Sequence, residues 1–294
     1  VSGPANGSGT TFVPSGFTTI KVRDVLIEDA TNLIVATDKT FFRVDRGTGA
    51  RTVLNATQVV DGAQGANDLL TAMAWESPGV VLALIDSFSG SRISRVTLSS
   101  MTGTVVSSST VGTGQTLDAY ACGDMYKESS ANSLIVSAFS SRTFIRVDLA
   151  TGNRTLITTL PANEYPISVA PISSTEALVG MYPGAAAPFY RVNLSTGSYT
   201  TLPNFSGPGN SRHLDGCAVY SDGSFVAYNN QTAPSPSLVR GSLGGATVTL
   251  TTISSNSVGS GPALYGDGYP YPSGLRLVNS SLAASMADSW TMYD

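Results

Sequence analysis

The sequence predicts an all-β fold built from repeated, four-stranded antiparallel units. A hairpin-like motif recurs along the chain, and the composition includes 30 Gly and 15 Pro with only 12% charged residues. An average soluble protein has roughly 25% charged residues. No sustained apolar stripe with the i, i+3, i+4, i+7 spacing of a helix occurs, so long helices are not expected.

The clearest copy of the motif covers residues 144–157. A β-prone run ends at Asp148, a tight turn follows around Gly152, and a returning strand alternates polar and apolar side chains. Asp148 is placed to accept backbone N–H groups of the turn, as an Asx-type cap. We expect Asp148 to matter more for stability than Leu149, if Leu149 lies exposed on the turn.

The motif recurs at a nearly constant period. Its arginines are Arg43, Arg95, Arg146, Arg191 and the Arg240 of a shortened copy, at intervals of 52, 51, 45 and 49 residues. A period in this range indicates an array of equivalent units with about four short strands in each. A chain of 294 residues has room for six such units.

Taken in order, five repeats show four β-prone runs each and a sixth shows three. The first three repeats have runs at 25–27, 33–36, 41–45 and 51–54, at 70–75, 80–85, 93–98 and 104–108, and at 119–126, 133–138, 144–149 and 154–158. The next two have runs at 167–171, 176–181, 189–194 and 199–202, and at 217–221, 224–228, 237–242 and 247–252. The sixth repeat has only 263–265, 275–279 and 289–292.

The sixth repeat is therefore one strand short. Residues 1–18 contain a spare β-prone run at 10–14, which we expect to complete the last sheet and close a ring of sheets. A disordered tail is the alternative for residues 1–18. With no break in composition, we expect residues 1–294 to form one domain.

The Arg-Val-Asp-x-x-Thr-Gly-x-x-Thr hairpin at residues 43–52 and 146–155 resembles the outer hairpin of six-bladed β-propellers of the NHL, TolB-like and SMP-30-like superfamily. The resemblance covers roughly residues 19–294. It implies a six-bladed β-propeller with four-stranded antiparallel blades. It does not imply one activity, because these propellers include lactonases, strictosidine-synthase-like enzymes, sensor domains and binding modules.

Charge and hydropathy exclude two classes of partner. The net charge is −4 and the basic residues are spread along the chain, whereas nucleic-acid binding needs a clustered basic surface. The longest apolar run, at residues 80–85, is far shorter than the ~20 residues of a membrane span. The sequence begins with Val1 rather than Met, so we expect that a signal peptide has been removed from a secreted chain.

Secretion agrees with seven acceptor motifs for N-glycosylation. These are Asn6, Asn55, Asn153, Asn193, Asn204, Asn230 and Asn279. Cys122 and Cys217 are the only cysteines, and in a secreted protein a disulfide between them is the default expectation. Two buried thiols are the alternative, because the two residues lie in non-adjacent repeats.

No catalytic residue is predicted. The only histidine, His213, lies at a loop-to-strand junction, and no Gly-x-Ser-x-Gly motif occurs. One carboxylate lies near the first strand of each repeat, and together these are Asp24, Asp68, Asp118, Glu164, Asp215 and Asp267. If these carboxylates crowd at a channel mouth, they could hold Ca²⁺, as enzymes resembling SMP-30 hold a divalent metal. The favoured interpretation is that each carboxylate caps a turn, and no cofactor is expected.

Three classes of function are consistent with these patterns. The favoured one is a secreted, N-glycosylated, non-enzymatic propeller that binds a protein or glycan at the cell surface or in the matrix, or assembles with other copies of itself. The second is a metal-dependent hydrolase of lactonase type. The third is a carbohydrate-binding module that stacks sugars on aromatic residues, for which the candidates are Trp75, Trp290, Tyr265, Tyr269 and Tyr271.

Overall fold

The computed structural model describes residues 22–37, 40–54, 68–87, 90–117, 122–182, 189–202, 214–229, 237–244, 248–255, 257–258, 275–278 and 281–284. These residues form the predicted four-stranded antiparallel blades, and in each blade neighbouring strands follow chain order. Blades 1 and 2 contain β1 (Val22–Ile27), β2 (Asn32–Thr37), β3 (Phe41–Asp45) and β4 (Arg51–Val53), then β5 (Leu69–Ser77), β6 (Val80–Asp86), β7 (Arg92–Thr97) and β8 (Thr102–Ser107). Blade 3 contains β9 (Cys122–Lys127), β10 (Ser133–Ala138), β11 (Thr143–Asp148) and β12 (Arg154–Thr159). Blades 4 and 5 contain β13 (Pro166–Pro171), β14 (Glu176–Met181), β15 (Phe189–Asn193) and β16 (Tyr199–Thr201), then β17 (Leu214–Val219), β18 (Ser224–Asn229), β19 (Ser237–Ser242) and β20 (Thr251–Ser255).

The prediction of six blades is wrong, because the described residues form five four-stranded sheets. Two further strands, β21 (Leu275–Val278) and β22 (Ser281–Ala284), form a two-stranded sheet among the described residues, and β21 contacts β1 and β17. In the sequence, no further copy of the arginine hairpin follows Arg240, so the copies of the motif also number five. The proposed closing strand at 10–14 lies outside the described residues.

The hydrophobic core lies between neighbouring blades. Strand β6 shows why: Leu82 and Leu84 pack towards blade 3, whereas Val81, Ala83 and Ile85 pack towards blade 1. A strand buried on both faces needs a continuous apolar run instead of alternation, which explains the run at 80–85. The first strands of successive blades contact one another and form the innermost ring.

The Asx-type cap predicted at Asp148 is confirmed. Its Oδ1 accepts hydrogen bonds from the backbone N–H groups of Ala150 (3.0 Å) and Thr151 (2.7 Å) and from the Thr151 hydroxyl (2.9 Å). These donors hold the pKa of Asp148 below its ordinary value. Leu149 is 3% exposed and belongs to the core between blades 2 and 3, so the expectation of an exposed Leu149 is wrong.

Gly152 in the same turn is required for two reasons. Its φ of 73° lies in the left-handed region, and a Cβ there would lie 2.1 Å from the Val106 carbonyl oxygen on β8. The turn of blade 3 therefore packs directly against the outermost strand of blade 2.

The repeated arginines also connect blades. Arg146 donates to Glu128 from Nε (2.8 Å) and Nη2 (3.0 Å), and Nη2 lies 3.2 Å from the Leu194 carbonyl of blade 4. Arg95 binds Glu76 and the Leu149 carbonyl of blade 3 in the same way. In blades 2 and 3 the motif is therefore an inter-blade contact as well as a hairpin, whereas Arg43, Arg191 and Arg240 bind acidic residues of their own blades.

Candidate functional site

Two buried carboxylates link the innermost strands of neighbouring blades. Asp24 is 1% exposed, and its two oxygens accept the backbone N–H groups of Val25 (2.7 Å) and of Met73 in blade 2 (2.7 Å). Asp124, at the equivalent position in blade 3, accepts from Met125 (2.8 Å) and from Val169 in blade 4 (3.2 Å). These contacts explain the burial of both side chains, because a carboxylate is stable in the interior when it receives strong hydrogen bonds.

The sequence did not single out Asp124, because spacing alone favoured Asp118 in that repeat. Strand register reveals the equivalence: Val25 pairs with Val35 on β2, and Met125 pairs with Val136 on β10. Each first strand also has a register shift just before or at this position, in all five blades. A bulge of this kind re-aims side chains, here towards the next blade.

The other carboxylates of the predicted ring have separate surroundings. Asp68 is buried and forms an ion pair with Arg92 at 3.0 Å. Glu164 is buried and hydrogen-bonds to the hydroxyl of Tyr190, whose pKa is raised to about 12 mainly because burial disfavours the phenolate. Asp215 lies on β17, but the structure does not describe its side chain, and Asp118 and Asp267 lie outside the described residues. Within the described part of the chain, no three His, Cys, Asp or Glu side chains group as a metal site would require.

Other candidate residues are found as follows. Trp75 donates its indole N–H to the Ile27 carbonyl (2.9 Å) and packs against the core between blades 1 and 2. Cys122 begins β9 and Cys217 lies in β17, and strand β13 contacts both of these strands. A disulfide between the two cysteines stays a prediction. His213, Trp290, Tyr265, Tyr269 and Tyr271 lie outside the described residues.

Two of the seven glycosylation motifs are described. Asn153 is exposed, and its Oδ1 accepts hydrogen bonds from the Thr113 backbone N–H (2.9 Å) and hydroxyl (3.0 Å). Asn193 is half-buried and caps its own turn. Both lie where a third strand turns into a fourth. The remaining motifs, Asn6, Asn55, Asn204, Asn230 and Asn279, lie outside the described residues.

Three aromatic rings meet at the opposite end of blades 3 and 4. Phe139 follows β10, Tyr165 precedes β13 and Tyr182 follows β14, and all three side chains are half-buried. Phe139 and Tyr165 stack with centroids 4.9 Å apart and planes 26° apart. The Tyr182 ring is nearly perpendicular to both, at 73° to Phe139 and 77° to Tyr165. We call these three residues the aromatic cluster, and we call the face of the propeller where first strands begin and second strands end the mouth face.

Two turns hold the aromatic cluster. Arg142 N–H donates to the Phe139 carbonyl (3.1 Å), and Glu164 N–H donates to the Pro161 carbonyl (3.2 Å). Arg142 (φ 57°) and Asn163 (φ 69°), one in each turn, are left-handed residues other than glycine. The left-handed conformation of Arg142 adds about 1–3 kcal/mol of local strain, whereas asparagine tolerates this conformation.

The cluster was missed because it joins residues that are distant in sequence. Phe139 and Tyr182 each come directly after a second strand, at equivalent positions of neighbouring blades. An alignment of second-strand ends would have revealed that pair. Tyr165, in contrast, is brought to Phe139 only by the packing of blade 4 on blade 3.

Comparisons with known proteins show the fold. No protein-family model matches the chain, and no curated protein matches its sequence. A chain in the crystal structure of a nidogen/laminin complex is similar over 87% of this chain and 85% of that one, with TM-score 0.59 and 9% identity. A Bacteroides caccae protein of unknown function is similar over 80% and 82%, with TM-score 0.56 and 14% identity. The extracellular domain of BT4673 from B. thetaiotaomicron is similar over 84% of this chain but 29% of that one, with TM-score 0.53 and 15% identity.

Proposed function

We propose that this chain is a secreted, N-glycosylated, non-enzymatic β-propeller that binds a partner in an extracellular or cell-surface assembly. The observation that carries the proposal is the aromatic cluster, a set of half-exposed rings on the mouth face. Tyr and other aromatic residues are enriched where proteins bind partners, because they offer large apolar area with little conformational entropy. The fold agrees with this role, since propellers serve as binding and structural modules.

The buried carboxylates support a binding module over a hydrolase. Asp24 and Asp124 both direct their oxygens to backbone N–H groups of the next blade, which gives them a structural role. One structural neighbour, the extracellular domain of BT4673, fits an extracellular location. In the described part of the chain, no helix is long and apolar enough to span a membrane.

Two measurements test the proposed function. The chain is expressed through the secretory pathway of a eukaryotic cell, and peptide mass spectrometry then reads glycan occupancy at Asn153 and Asn193. The purified chain is next bound to intact cells and extracellular matrix, in parallel with a Phe139→Ala/Tyr165→Ala variant and a Tyr199→Ala control on β16. We expect glycans at Asn153, and saturable binding that only the double variant loses. An unglycosylated secreted chain, or equal binding by all three proteins, would contradict the proposal.

A further inference from the structure

We propose that Asn153 can receive its glycan only before blades 2 and 3 pack together, because folding fixes its acceptor motif against a neighbouring segment. This inference rests on the proposed function and names the order in which glycosylation and folding occur. The segment comprises residues 107–115, which begin at the end of β8 in blade 2 and reach the start of β12 in blade 3. We call these residues the clasp.

The clasp binds the backbone of the acceptor motif, Asn153-Arg154-Thr155. The Arg154 N–H group donates to the Thr113 carbonyl (2.7 Å), and the Gln115 N–H group donates to the Arg154 carbonyl (3.3 Å). Gly114 and Arg154 thereby form a parallel β-bridge. A Cβ on Gly114 would overlap the Arg154 carbonyl oxygen, so the two backbones are in direct contact.

The middle residue of the motif is also anchored by its side chain. Arg154 is 7% exposed. Its Nη1 donates to the Ser107 hydroxyl (2.7 Å) and to the Ser108 and Val111 carbonyls (2.8 and 2.9 Å). Its Nε donates to the Gln115 carbonyl. Moving Arg154 into an enzyme would break all four hydrogen bonds, including the one with the buried Ser107 hydroxyl, which is unfavourable.

Glycan transfer does not consume the atom that the clasp binds. The Nδ2 atom of Asn153 forms a bond to C1 of the oligosaccharide, the bond from C1 to the lipid pyrophosphate donor breaks, and one Nδ2 proton leaves with the departing pyrophosphate. Oδ1 stays a carbonyl oxygen, and in the folded chain it accepts the Thr113 N–H group and hydroxyl. Because Asn153 is exposed, a chain that already carries the glycan can form the same contacts.

Glycan transfer after folding would have to open this edge of blade 3. The Asn-x-Ser/Thr requirement means that the transferase reads the asparagine and the hydroxyl residue together. In the folded chain Thr155 pairs with Arg146 on β11, and Arg154 binds the clasp. Local opening of such a strand populates only a small fraction of the molecules, whereas the unfolded chain needs no opening.

The test compares folded and unfolded acceptors of one transferase. The full chain is produced in bacteria without glycans, and a peptide of residues 147–158 serves as the unfolded acceptor. Each is incubated with a single-subunit eukaryotic oligosaccharyltransferase and its lipid-linked donor, and peptide mass spectrometry measures the rate at Asn153. We expect the folded chain to react at least about tenfold more slowly than the peptide, because only opened molecules react.

Two glycine variants connect this protection with the clasp. Gly114→Ala places a Cβ against the Arg154 carbonyl and should raise the rate at Asn153 in the folded chain about threefold or more. Gly79→Ala is the matched control, because Gly79 also has a positive φ (78°) but no atom in the described part of the chain lies within 4 Å of its added Cβ. This control should react as the wild type does.

Each outcome bears on a different step. A folded chain that reacts as fast as the peptide would overturn this order of events while leaving the proposed function intact. Equal rates for Gly114→Ala and Gly79→Ala would overturn the role of the clasp. If Gly114→Ala does not fold, the comparison of the wild-type chain with the peptide decides without a variant. A peptide that the transferase does not modify would count against both this inference and glycosylation at Asn153.

Discussion

Replacing Asp124 with alanine removes a carboxylate that holds two blades together. Its oxygens accept the N–H groups of Met125 at 2.8 Å and Val169 at 3.2 Å, and the side chain lies in a buried site, 3% exposed. A buried N–H group left without an acceptor costs about 1–3 kcal/mol. Two such groups give an expected loss of about 2–6 kcal/mol in the free energy of unfolding. Asp124→Asn retains one acceptor and should fall between the wild type and the alanine variant.

Urea denaturation followed by fluorescence measures this loss. Asp222→Ala is the matched control, because its carboxylate is 62% exposed in the turn between β17 and β18. We expect the control to lose less stability, because its Oδ1 only caps an exposed turn by accepting the Ser224 N–H group at 2.8 Å. A shift for Asp124→Ala no larger than the shift for Asp222→Ala would refute the inter-blade role of this carboxylate.

Three further predictions concern Leu149, Gly152 and the carboxylate of Asp24. Leu149→Ala should lower the free energy of unfolding by about 2–5 kcal/mol, which is more than Asp148→Ala does. Leu149 is 3% exposed in the core, whereas Asp148 caps an exposed turn. A lower urea midpoint for Asp148→Ala than for Leu149→Ala would contradict this prediction. Gly152→Ala should lower the melting temperature more than Gly79→Ala does. Both glycines have positive φ (73° and 78°), but only a Cβ at position 152 would clash with a neighbouring blade. Equal shifts of the melting temperature in calorimetry would argue against that contact. EDTA should leave the melting temperature unchanged, because hydrogen bonds already occupy carboxylate oxygens such as those of Asp24. A lower melting temperature that added Ca²⁺ reverses would show that a bound ion stabilises the fold.

Acid should weaken the hairpin caps in a predictable direction. The pKa of Asp148 is held below its ordinary value of 3.8, chiefly by the Thr151 N–H group and hydroxyl. A carboxylate whose pKa is lower in the folded state stabilises the fold above its unfolded pKa, and this contribution is lost as the pH falls through the folded pKa. Asp148→Asn should therefore show a smaller loss of stability between pH 5 and acid than the wild type in parallel thermal melts.

The sequence predicted the repeated strands and the turn chemistry well, because both depend on local residues. The cap at Asp148 needs only a short acceptor side chain and the backbone N–H groups two and three residues later in the turn. Both can be read from one short stretch of the sequence. The number of blades was wrong because it came from dividing the length by the period. Counting the arginines gives five, which agrees with the five four-stranded sheets.

The contacts between blades could not be predicted in the same way. Asp124 meets Val169 across 45 residues, and the bulge in its strand decides that the carboxylate faces the next blade. The spacing of the repeats indicated Asp118 instead, which lies six residues before Asp124. A period that varies between 45 and 52 residues cannot distinguish positions that are this close in sequence. The aromatic cluster depends likewise on the packing of two blades.

Hydroxyl-radical footprinting tests most directly whether the mouth face is the binding surface. Radicals label exposed Phe and Tyr side chains, and mass spectrometry reads each residue with and without the tightest binder found among cell-surface and matrix components. The proposed function predicts protection of Phe139, Tyr165 and Tyr182 in the bound state and unchanged labelling of Tyr199. Protection of Tyr199 with unchanged labelling of the cluster would place the binding surface elsewhere and contradict the proposed function of the mouth face.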